Sequence, residues 1–131
     1  MRHPLTLILL LTLAAPAAAQ MYGPDYAKCR EKTTVDIVDC VKAATQAWDR
    51  RLNTAYQGLM QRSDPAQKDP LKAAQRLWIQ YRDANCRFYA SGEGSIRQIE
   101  ATECLRAMTQ HRACELEAAN NQEGGARSGC Q

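Results

Sequence analysis

The sequence predicts an all-α fold, a small disulfide-stapled bundle of three main helices that run largely antiparallel. Three observations carry this reading. Apolar residues recur at three- and four-residue steps through three long stretches, and no stretch alternates with period two for long enough to build a sheet. Short breaks bearing Pro or Gly separate the stretches, which makes successive helices antiparallel neighbours. Six cysteines in 131 residues, an even number, supply covalent staples to a chain whose core is small.

The first element is a segment to be removed. Met1-Arg2-His3 is a basic start, Leu5 to Ala15 is an apolar run, and Ala17-Ala18-Ala19 is the small-residue site read by signal peptidase, so cleavage is expected after Ala19. An apolar run of eleven residues is too short for a membrane span, which needs roughly 20. No cysteine stands at the cleavage site, so no lipid anchor is expected. Removal of residues 1–19 leaves 112 residues with a formal charge of +2, too balanced for a nucleic-acid binder. An oxidising compartment, the periplasm or the exterior, follows, and there cysteines pair.

Residues 20–28 contain Gly23-Pro24, show no period and read as an exposed lead-in. A helical domain is expected over residues 29–121. Its first helix is capped by Thr33 with Asp36 and runs through Val35, Val38, Val41, Ala44, Trp48, Leu52, Ala55, Leu59 and Met60, to end near Ser63 ahead of Asp64-Pro65. The second is expected to begin with Asp69 as N-cap and Pro70 at the first helical position, where a missing N–H costs nothing. Leu71, Ala74, Leu77, Trp78, Tyr81 and Phe88 line one of its faces, and Gly92-Glu93-Gly94 ends it. A capping box of Ser95 and Gln98 opens the third helix, through Ile96, Ile99, Leu105, Met108 and Leu116. It stops before Gly124-Gly125, and residues 122–131 form a Gly-rich tail.

Helix geometry restricts the cysteine pairing. Residues ten apart on one helix are about 15 Å apart, and a disulfide needs Cα atoms within roughly 7 Å, so Cys104 cannot bond Cys114. Cys86 and Cys104 flank one helix corner and can face each other across it. Cys29 can reach Cys40 if the helix is interrupted between them, as Thr33-Thr34 allows, and this leaves Cys114 for Cys130, folding the tail back. A metal site is not expected, because there is no Cys-x-x-Cys and His111 is the one histidine after the leader. No cofactor is expected either.

Polar residues stand beside the apolar stripes. Asp49, Asn53 and Tyr56 share helical spacing on the first helix, and Arg82 and Asp83 follow Trp78 and Tyr81 on the second. Arg82 held by Asp49 and Asn53 would lock two helices; Arg82 or Asp83 left exposed would meet a partner. Thr109 and Arg112 pose the same choice on the third helix. Trp48, Trp78 and Phe88 read as core. No nucleophile elbow, zinc-protease helix, phosphate loop or haem-attachment motif is present. Glu93, Glu100, Glu103, Glu115 and Glu117 are the carboxylates that a muramidase would draw on, but spacing alone puts none in an apolar pocket.

The set Asp49-x-x-Leu52-Asn53-x-x-Tyr56, Leu71-x-x-Ala74-Gln75-Arg76-x-Trp78-Ile79-x-Tyr81-Arg82-Asp83-Ala84-x-Cys86, Cys104-Leu105 and Thr109-x-x-Arg112 resembles the secreted bacterial family of the LprI-type lysozyme inhibitor, from Cys29 to about Leu116. The resemblance implies a helical, disulfide-bonded envelope domain without catalysis, whose partner is lysozyme or another peptidoglycan-cleaving enzyme; the alternatives are a periplasmic interaction or immunity module and a weak muramidase. Residues 42–87 hold nine basic and four acidic side chains, whereas residues 93–131 hold six acidic and four basic, so the acidic end is the expected face for a cationic lysozyme. Within it, Gly92-Glu93-Gly94-Ser95 holds a carboxylate out between two glycines and is the expected contact.

Overall fold

The computed structural model describes residues 20–121 and 129–130. The leader expected over residues 1–19 lies outside the described residues, as do residues 122–128 and 131 of the expected tail. The described residues form a helical bundle of α1 (Pro24–Ala27), α2 (Thr34–Arg62), α3 (Pro65–Ala90) and α4 (Ile96–Asn120), without strands.

Helix α2 starts where Thr33 caps it: the hydroxyl accepts the Asp36 N–H at 3.3 Å and donates to the Asp36 carboxylate at 2.6 Å. It ends at Ser63, which is extended. Helix α3 begins five residues before the expected position. Two Asp-Pro steps compete for its start, and the first one wins because Gln67, three residues after Asp64, accepts the Asp64 N–H at 3.1 Å. Pro65 then occupies the first turn, and Pro70 lies inside the helix near its start, where it forfeits only one backbone bond. The capping box expected at Ser95 is not formed. Ser95 has helical backbone angles and makes no side-chain cap bond, and the turn is closed instead by the Gln98 N–H on the Ser95 carbonyl.

The three long helices pack as a layer with α4 in the middle. Helix α2 runs parallel to α4: Ile37 and Val41 meet Ile99 near the start of both, while Trp48, Leu52 and Ala55 meet Ala113 and Leu116 further along. Helix α3 runs antiparallel to α4, joined by Cys86–Cys104 at one end and by Gln75 with Arg112 at the other. Helices α2 and α3 scarcely touch. Helix α4 accordingly contributes eleven buried residues and α3 only Cys86. The apolar face expected of α3 is therefore not a core face throughout: Leu77, Tyr81 and Phe88 are 65%, 63% and 74% exposed. Val35 on α2 likewise faces solvent, its place in the core taken by Ile37.

Three disulfides close the structure, Cys29–Cys40, Cys86–Cys104 and Cys114–Cys130, the pairs that helix geometry favoured. Every cysteine is thereby consumed, so no thiolate remains to ligate a metal.

The lead-in buries none of its residues, yet it is docked on the bundle. Trp48 on α2 donates its indole N–H to Asp25 of α1 at 2.7 Å, and the Arg51 guanidinium lies over the Trp48 ring, 4.1 Å from its centroid. Gly129 of the tail closes over the same ring. It takes a φ of +83°, and a Cβ there would approach the ring to 2.9 Å, so both its conformation and its lack of a side chain are required. Burial opposes ionisation of Asp25, but hydrogen bonds from Trp48 and Lys28 and the charges of Lys28 and Arg106 outweigh it and hold the carboxyl below its usual range.

A group with a depressed folded pKa adds stability above its unfolded pKa and loses it as pH falls through the folded one. The stability advantage of the native protein over Asp25→Asn is accordingly expected to be constant from pH 8 to 5 and to shrink below pH about 4. Guanidinium unfolding followed by tryptophan fluorescence at pH 7, 5 and 3 measures this.

Candidate functional site

A fully buried ion pair was not singled out by spacing. Arg106 and Glu103, both 0% exposed, lie one turn apart on α4 and form a bidentate pair, Nε to Oε2 at 2.8 Å and Nη2 to Oε1 at 2.7 Å. Their remaining capacity holds the lead-in: Arg106 donates to the Gln20 carbonyl at 3.0 Å and to Gln110, while Glu103 accepts the Tyr22 N–H at 2.7 Å. Tyr22 adopts a left-handed backbone, φ 63°, which directs that N–H inward. The sequence signal, Glu103-x-x-Arg106, was visible as a helical ion pair, but such pairs are usually solvated. Here the pair faces inward and serves the fold.

Burial also reduces the acidic face expected at the end of the chain. Glu103 is sealed by Arg106, and Glu117, likewise buried, is clamped by Arg51 of α2 through Nε at 2.9 Å and Nη2 at 2.7 Å. Glu115 is exposed but pairs with Arg112. Glu93 remains as an exposed carboxylate at the α3–α4 corner. Gly92, Glu93, Gly94 and Ser95 are all exposed, and Gly94 has φ +72° with open space where a Cβ would stand, so the turn projects clear of the bundle. The Cys86–Cys104 bridge ties the two helices that carry it.

The cross-helix lock expected of Arg82 with Asp49 and Asn53 is not made. With α4 between α2 and α3, Asn53 donates to Asp49 within α2 at 3.2 Å, and Arg82 pairs with its neighbour Asp83 at 2.8 Å while lying over the Trp78 ring at 5.0 Å. Tyr56 packs half-buried against the Trp48–Leu116 cluster. Arg112 does lock two helices, its Nε donating to Gln75 of α3 at 3.1 Å while its Nη1 donates to Glu115 at 2.8 Å. Thr109 is fully buried, and its hydroxyl has no hydrogen-bond partner among the described residues. Phe88 is surface rather than core, Trp48 is core, and Trp78 is half-buried.

Beside the corner, α3 and α4 border a groove of about 410 Å³ whose lining includes Met21, Trp78, Tyr81, Asn85, Tyr89 and His111. On the opposite side, α2 and α4 border a polar cleft of about 510 Å³ lined by Arg50, Arg51, Arg62, Glu117 and Asn120. Among the described residues, no helix is long and apolar enough to cross a membrane.

The chain has counterparts in sequence. Residues 26–116 match the family described as lysozyme inhibitor LprI. An uncharacterized protein of Rhizobium meliloti (strain 1021) is 36% identical over 127 residues, an alignment covering 84% of this chain and 88% of that protein. No solved structure matches the chain. The matched region runs from α1 almost to the end of α4 and takes in the first two disulfides, the Trp78-to-Cys86 segment and the Arg112 lock, so the chain belongs to the LprI lysozyme inhibitor family.

Proposed function

We propose that this protein is a non-catalytic inhibitor of a lysozyme-type, peptidoglycan-cleaving enzyme, acting in the periplasm or outside the cell, and that Gly92-Glu93-Gly94-Ser95 makes the inhibitory contact. The observation that carries the reading is the corner itself: an exposed carboxylate held out on a turn between two helices that a disulfide joins. A cationic active-site cleft accepts a carboxylate, and a stapled turn loses little conformational freedom on binding. Membership of the family supports the same reading. A muramidase would need two carboxylates facing a substrate, whereas Glu103 and Glu117 face inward, each held by an arginine.

Addition of the purified protein to lysozyme acting on labelled peptidoglycan is expected to slow release of label. Glu93→Lys is expected to weaken that inhibition by about tenfold through charge reversal at the contact. Helix content and melting temperature should stay within error, because an exposed turn side chain contributes little to stability. Undiminished inhibition by a folded Glu93→Lys protein would remove the loop from the contact. Release of label without lysozyme would show an enzyme instead.

A further inference from the structure

The side of α3 turned away from Cys86 carries Leu77, Tyr81, Ala84 and Phe88, all exposed, at successive steps of four, three and four residues, Tyr81 also bordering the groove against α4. That is the spacing of a coiled-coil seam, and it lies on a helix whose other side rests on α4. We propose that this stripe is a homodimer seam, α3 packing antiparallel against α3 of a second copy.

The stripe is self-complementary. Its spacing is the same read in either direction, so a two-fold axis passing between residues 82 and 83 sets Leu77 against the partner's Phe88 and Tyr81 against the partner's Ala84. Large side chains thus face small ones at the centre, where two rings opposed would hold the helices apart.

The charges agree with a second copy better than with an anionic surface. Helical geometry places Ala73, Gln80 and Arg87 along one flank of the stripe and Leu71, Trp78 and Asn85 along the other. In an antiparallel pair each flank meets its own equivalent, so Arg87 falls beside the partner's Gln80 and no like charges oppose. Lys68, Lys72 and Arg76 point more than a quarter-turn away from the stripe, and Arg82 is spent on Asp83. An anionic bilayer or an acidic helix would therefore find only Arg87 at the flank of the stripe.

The seam from Leu77 to Phe88 is about 17 Å long, three helical turns. A seam of that length would bury less than the roughly 800 Å² per partner of a standard interface, and a weak dimer, with a dissociation constant of about 1–100 μM, is expected.

Sedimentation equilibrium of the full chain, expressed with its own leader and recovered oxidised, tests this over about 5–500 μM, the range that brackets such affinities. A monomer–dimer equilibrium is expected. Leu77→Glu and Phe88→Glu should each raise the dimer dissociation constant by about 100-fold or more, because the two-fold axis counts each substitution twice. Both side chains are exposed in the single chain, so circular dichroism should show unchanged helix content. A monomer at all concentrations would overturn the proposal, as would a dimer that survives either substitution with its helices intact. Co-sedimentation of a monomeric protein with phosphatidylglycerol vesicles would overturn it too, assigning the stripe to a membrane. None of these readouts depends on lysozyme inhibition.

Discussion

Arg106→Met is expected to lower the unfolding free energy by about 3–5 kcal/mol, the cost of leaving a buried charge without its partner. Methionine fills much of the space but gives Glu103, 0% exposed, no cation, so its carboxylate keeps only the Tyr22 N–H. The Gln20 carbonyl also loses a donor, and the lead-in loses its main anchor on α4. For a domain whose total stability is about 5–15 kcal/mol, this is a large fraction. Denaturant titration gives the loss as a shift of the midpoint. Limited trypsin digestion should cut earlier at Lys28 and Arg30 as the segment loosens. The double variant Glu103→Leu with Arg106→Met should recover most of the stability, because an apolar pair has no charge to desolvate. A loss below about 1 kcal/mol in the single variant would mean that water reaches Glu103 and that the pair is no more than a surface bridge.

Replacing Cys86 and Cys104 together with alanine is expected to cost about 3 kcal/mol, the chain-entropy value for a loop of this size; the two cysteines are 18 residues apart. The loss should not be shared evenly. Helix α3 buries only Cys86, and its other ties to α4 include the Arg112–Gln75 bond and the half-buried side chains around Trp78. Helices α2 and α4, by contrast, share two apolar clusters. Hydrogen exchange should therefore show α3 amides losing protection while those of α2 and α4 keep most of theirs, the behaviour of a locally opening unit. Equal loss in all three helices would show that α3 is an integral part of one cooperative core. Lysozyme inhibition should fall in the same variant, since the corner bearing Glu93 is no longer stiffened.

Local rules explain how much of this protein was legible in its residues. The three-to-four periodicity located all three long helices, and the ends of α2 and α3 fell where Asp64-Pro65 and the Gly92 turn placed them. The start of α3 was misplaced because Asp64-Pro65 and Asp69-Pro70 carry the same signal; Gln67 decided between them. The turn at Gly92–Ser95 was legible because two glycines set one residue apart are a local feature. The failure to join Arg82 to Asp49 and Asn53 was not, since spacing on each helix says nothing of what stands between two helices.

By itself, then, the sequence placed the three long helices and their order and narrowed the disulfide pairing, because these rest on residues close in the chain or on the fixed rise of a helix, and it carried the motifs of the family. Tertiary structure alone decided which helix is central. Helix α4 lies between two neighbours and is buried on both sides, so its burial leaves no single apolar stripe to read; Glu103, Arg106 and Glu117 are inside because each finds an opposite charge there. Helix α3 carries the stronger apolar pattern and yet buries less, because it has one neighbour. An apolar stripe records that a surface favours burial, and only the packing of the whole chain shows whether its own helices cover it.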